Sequence, residues 1–185
     1  MNDRSLLRGP QTLRRLLLLG AMGGALCAAV PPSRAEAATG PCAARPESRR
    51  LDYWLGTWTV TYPGAPGSST SKVFLSLGDC LVVETWDGGK GHSGENRFAY
   101  SSDDGRWYGM FADNEGRVHV FEGQVKEGTA EFRGTSRGSN GEAVLNRIQV
   151  VRASPDKVTQ SWEKSTDDGA TWTPAFRGEY SRKKP

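Results

Sequence analysis

Histidine is nearly absent: His92 and His119 are the two in 185 residues, and no C-x-x-C pair or calcium-loop spacing accompanies them. The usual protein metal centres therefore lack their side chains. No glycine-rich loop leads into a helix, which removes the common phosphate cradles. Gly91-His92-Ser93-Gly94 has the start of a nucleophile elbow, but Glu95 stands where that motif closes on glycine, and no strand-to-helix turn follows. Helical periodicity is missing past residue 37, apart from a short turn expected from Glu47 to Trp54. Long apolar runs are missing too. The longest, from Leu16 to Val30, is about 15 residues, short of the ~20 that cross a bilayer.

That run is flanked by Arg4, Arg8, Arg14 and Arg15 on one side and Ala35-Glu36-Ala37 on the other, the layout of an export signal cleaved after Ala37. Arg14-Arg15 hints at the twin-arginine route, although Leu13 occupies a position where that motif has Ser or Thr. Cys27 follows Leu26, too large for the small residue that precedes a lipid-anchored cysteine. Residues 1–37 hold five of the 24 Lys and Arg and two of the 21 Asp and Glu, so the remaining 148 residues carry 19 of each and are formally neutral. The basic isoelectric point thus belongs to the leader, and it gives no support to nucleic-acid binding. Cys42 and Cys80 remain after cleavage, and in an oxidising compartment they are expected to pair. The expected layout is a signal at 1–37, an extension at 38–50 and one domain at 51–185, exported to a periplasmic or extracellular space.

What is abundant is alternation and aromatic bulk. All 17 Trp, Tyr and Phe lie after residue 50. Short alternating runs recur every ten to twelve residues, separated by turn residues such as Asp103-Asp104-Gly105, Asn114-Glu115-Gly116 and Ser154-Pro155-Asp156. Strands are expected at residues 56–62, 69–77, 80–86, 93–100, 106–112, 117–124, 129–136, 143–152, 157–164 and 171–181. Connections this short make each strand the antiparallel neighbour of the next. Ten twisted strands curl and close, which removes exposed edges. The fold class expected is all-β, a single up-and-down antiparallel β-barrel of the size that can hold one small molecule.

Alternation also assigns faces. Val82, Glu84 and Trp86 share one; Trp107, Gly109, Phe111 and Asp113 another; Val158, Gln160 and Trp162 a third; Trp172, Phe176, Gly178 and Tyr180 a fourth. These sets hold most of the aromatics and are expected inside. Glu84 and Gln160 among them are out of place in a filled apolar core, since burying an unpaired carboxylate is expensive. Glu84 is expected either to pair with Arg147 or Arg97 or to anchor a ligand in a cavity. Ser165-Thr166-Asp167-Asp168-Gly169-Ala170-Thr171-Trp172 fits the S-x-D-x-G-x-T-W Asp-box, a hairpin device, and is expected to be structural.

Asp52-Tyr53-Trp54-Leu55-Gly56-Thr57-Trp58 resembles the G-x-W opening of lipocalins, in which a late arginine, here Arg182 or Arg177, stacks on the tryptophan closing the barrel floor. With Cys80, Glu84, Trp86, Tyr100, Trp107, Asp113, Gly116, Arg147 and the tail from Gln160 to Tyr180, the same segment is similar to an exported bacterial family of unknown function with a calycin-like barrel. The resemblance implies that fold and no established activity. Gly109 and Phe111 depart from the family pattern, which has Gln and Trp there. The haem-binding calycins fit poorly, because neither histidine is near the last strand.

The function expected is binding of a small, partly apolar ligand, lined by Trp86, Trp107, Phe111, Trp162, Phe176 and Tyr180, with Glu84, Arg147 and Gln160 as polar contacts. An isomerase or cyclase using Glu84 and a filled structural barrel are the alternatives. No cofactor is expected.

Overall fold

The computed structural model describes residues 40–184, so the export signal expected at 1–37 lies outside the described residues. Two short 3-10 turns, Pro46–Arg49 and Asp52–Trp54, precede ten strands. These are β1 (Gly56–Thr61), β2 (Ser68–Ser76), β3 (Leu81–Gly89), β4 (His92–Tyr100), β5 (Trp107–Asp113), β6 (Val118–Lys126), β7 (Thr129–Arg137), β8 (Ala143–Ser154), β9 (Lys157–Ser165) and β10 (Thr173–Arg182). Every neighbour is antiparallel, and β1 pairs with β10, so the sheet is a closed up-and-down barrel. Among the described residues no helix is long and apolar enough to cross a membrane.

The strand ends fall within three residues of those expected. The largest departure is β3, which runs through Asp87-Gly88-Gly89 where a turn was expected. A register shift at Asp87/Gly89 absorbs an extra residue, and the hairpin turn moves on to Lys90 and Gly91, both at positive φ as a tight primed turn requires. In β10 the register shifts between Pro174 and Phe176. This breaks the alternation: Phe176, Gly178 and Tyr180 keep to the inward face, whereas Trp172, expected with them, packs outside the wall under the Arg147 guanidinium, 4.4 Å from its ring.

One end of the barrel is closed and filled. Leu51, Trp54 and Trp58 are fully buried there with Val82, Phe98, Phe121 and Phe132. Trp58 Nε1 donates to the Trp54 carbonyl at 2.9 Å, and the Arg182 guanidinium lies 4.1 Å over the Trp58 ring. Of the two arginines expected to serve there, Arg182 does so. It also donates to the carbonyls of Leu55 at 2.6 Å and Tyr53 at 3.3 Å, tying the last strand to the segment before the first. Gly56 suits this joint because its φ of +130° is one that L side chains rarely adopt, and a Cβ there would also crowd the end of the Arg182 side chain. Beyond it, the Cys42–Cys80 disulfide (Cα to Cα 5.0 Å) fastens the N-terminal extension to the β2–β3 turn.

Candidate functional site

The other half of the barrel is hollow. A cavity of about 250 Å³ begins at mid-height and reaches the turns at the open end. Its walls are Trp86 of β3, Phe111 of β5, His119 of β6, Trp162 of β9 and Phe176 of β10; its floor is Glu84, Asn96, Gln160 and Tyr180. His92, Asp113, Arg117 and Lys164 stand toward the mouth. Each wall residue is on the inward phase of its strand, which is why alternation in the sequence finds most of them.

Trp162 is the centre of the wall. Its ring meets His119 (centroids 4.6 Å), Phe111 (5.5 Å) and Phe121 (5.8 Å) nearly edge-on, and its Nε1 donates to Asn146 Oδ1 at 2.9 Å. Trp86 Nε1 donates to Ser69 Oγ at 2.9 Å. Both indoles therefore have their polar atoms satisfied and offer apolar faces. Phe111 lies across Gly94, where a Cβ would be 2.8 Å from its ring.

The floor is a network of neutral groups around one acid. Glu84, 1% exposed, accepts hydrogen bonds from Ser71 Oγ at 2.7 Å and Tyr180 Oη at 2.9 Å on Oε1, and from Asn96 Nδ2 at 2.7 Å on Oε2. Tyr180 Oη is also 2.6 Å from Gln160 Oε1. Among the described residues Glu84 has no ion-pair partner. Burial pushes its pKa above the usual glutamate range, partly offset by the bonds from Ser71, Asn96 and Tyr180. Burial and the neighbouring Glu84 raise Tyr180 well above a free phenol. Asn96 is 5% exposed, and its Oδ1 is buried without a hydrogen-bond partner.

His119 is held below the usual imidazole range by burial, then by Lys164 and Arg117. Asp113 is lowered on balance: burial acts upward, but hydrogen bonds from the Arg117 backbone and guanidinium and the Glu115 backbone outweigh it. Arg117 bonds both Asp113 at 2.5 Å and Glu115 at 3.0 Å, and Glu115 also meets His92 Nδ1 at 3.0 Å. Among the described residues no three His, Cys, Asp or Glu side chains converge as a metal site.

Of the nine residues expected to contact a ligand, the structure brings seven together: Glu84, Trp86, Phe111, Gln160, Trp162, Phe176 and Tyr180. Two stand elsewhere. Arg147 points outward from β8, where it binds Glu163 Oε2 at 2.7 Å and covers Trp172, because Asn146 and Ile148 on either side of it take the inward phase. Trp107 is inward but belongs to the filled half, buried beside Tyr100. Neither arginine expected beside Glu84 is there, since Arg97 pairs with Glu95 on the outer wall. His119 and Asn96 were missed. The inward phase shared with Phe121 and Val125 would have found His119, and Phe98 would have found Asn96. The Asp-box is a turn, with Asp167 accepting from Thr171 N at 2.9 Å and Ser165 Oγ at 2.7 Å, and Trp172 Nε1 donating to the Gly169 carbonyl at 3.1 Å.

No family model and no curated protein matches the chain. A solved structure of EF1p2_mFAP2b bound to DFHBI is similar over 74% of this chain and 99% of that one, at 14% identity and a TM-score of 0.31. A likeness at that score carries no argument about site or ligand.

Proposed function

We propose that this chain is an exported binding protein that holds one small, partly apolar molecule in the open half of its barrel. The observation that carries this reading is the division of the interior. Large side chains pack one half solid, yet they leave about 250 Å³ in the other, walled by aromatics whose own polar atoms are already satisfied. Concave, mostly apolar space with a few converging polar groups is how proteins hold small molecules. At about 250 Å³ the space is at the low end for a small-molecule site, which points to a one- or two-ring occupant. The Cys42–Cys80 bridge fits delivery to an oxidising compartment.

Native mass spectrometry of protein purified from its export compartment tests the reading. The expected result is a small molecule bound one to one, released on unfolding and lost in Trp162→Ala. No adduct in the wild-type protein, together with no binder from a library of small aromatic fragments, would overturn it. An enzyme using Glu84 as an acid is the second reading, favoured by a buried carboxyl that lines the cavity with no cation beside it. Its test is turnover of a bound candidate substrate, which Glu84→Gln must abolish.

A further inference from the structure

Resting on the binding reading above, the floor of the same cavity carries a statement about what the ligand brings. Glu84 and Asn96 both line the cavity, and both carry acceptors. Glu84 Oε2 takes one hydrogen bond, from Asn96, and keeps a lone-pair site, while Asn96 Oδ1 takes none although it is buried. Native proteins leave few buried polar atoms unpaired, and a buried carboxylate without a cation is rarer still. The three donors to Glu84, from Ser71, Tyr180 and Asn96, are all neutral. The walls above are aromatic faces, to which a cation is attracted and an anion is not.

We propose that the cavity selects a small molecule bearing one protonated amine or amidinium group, seated with its N–H donors on Glu84 Oε2 and Asn96 Oδ1 and its apolar body against Trp162 and Phe111. At the mouth Lys164 Nζ already lies 5.6 Å over the Trp162 ring. Arg117 is bound by Asp113 and Glu115, which leaves Lys164 and the two acids to balance with it to zero. His119, the one base on the wall, is held toward its uncharged form. An amidinium offers two parallel donors, and its charge supplies the partner that Glu84 lacks.

Benzamidine, benzamide and benzoate have nearly one shape and differ in charge. Titrated into the disulfide-intact protein and read by tryptophan fluorescence and calorimetry, benzamidine is expected to bind at least about tenfold more tightly than benzamide, and benzoate least of all. Glu84→Gln is expected to erase the preference for benzamidine over benzamide. The wild-type ranking needs no variant to fold. Equal affinity for the three, or benzoate binding tightest, overturns the assignment by showing that Lys164 or plain apolar contact governs the site. If none of the three binds while the fragment library yields a neutral occupant, the cation assignment fails and the binding reading stands; if nothing occupies the cavity, both fail.

Discussion

Glu84 places an acid where its charge is least welcome, and the cost depends on pH. Its pKa is raised in the fold, so between the unfolded value and the folded one the native state binds more protons than the unfolded chain, and stability falls as pH rises. The limit for one group is about 1.4 kcal/mol per pH unit across that window. His119, whose pKa is lowered, contributes the opposite slope over part of the same range. The measurement is therefore a comparison. Denaturant midpoints from pH 5 to 8 are expected to fall more for wild type than for Glu84→Gln, and parallel curves would contradict the raised pKa. Glu84 was legible because alternation put a charge on an aromatic face. Arg147 stands outside because the fold satisfies Glu84 with Ser71, Asn96 and Tyr180, neutral residues whose pairing with an acid leaves no charge pattern in the sequence.

Gly109 shows the same limit from the other side. A Cβ there would lie 2.6 Å from the Phe98 ring, which packs tilted against Phe132 with centroids 4.5 Å apart. The glutamine expected from the family pattern would displace that pair. Gly109→Gln is expected to destabilise by about 1–3 kcal/mol in chemical unfolding, as overpacking does.

At the scale of elements, the strands were readable and their irregularities were not. Alternation located all ten, but the bulges in β3 and β10 depend on which residue yields when neighbouring strands twist, and no local pattern encodes that. The bulge in β10 matters most, since it sends Trp172 outward and leaves Phe176 at the cavity. The entry to β1 is the element most constrained by one residue. Gly56→Ala is expected to lower stability by about 1–3 kcal/mol, both from its φ of +130° and from contact with Arg182. An unchanged melting temperature would show that neither the backbone conformation at Gly56 nor the approach of Arg182 carries a cost.

Over the whole molecule, closure was foreseeable from the number of strands and the shortness of their turns, but the partition of the interior was not. Whether ten strands enclose space or side chains depends on how Trp54, Trp58, Phe98 and Phe132 stack, and only the three-dimensional arrangement fixes this. The disulfide adds stability that does not depend on that packing. The loop between Cys42 and Cys80 corresponds to about 3–4 kcal/mol on the chain-entropy account, so Cys42→Ser with Cys80→Ser is expected to lower the melting temperature on the order of 10 °C by calorimetry.

The joint between β1 and β10 has a consequence in time. Its four residue pairs, from Trp58 with Arg182 to Thr61 with Glu179, unite the two ends of the domain, and every other strand pairing joins neighbours in sequence. Hairpins can assemble locally and fast, but this seam must wait for the whole chain to come round. Until then two strand edges stand open to other chains, a hazard the finished barrel no longer carries. Arg182 on Trp58 is thus the clasp of a bracelet, and conditions that delay its fastening are where this protein is expected to aggregate rather than fold.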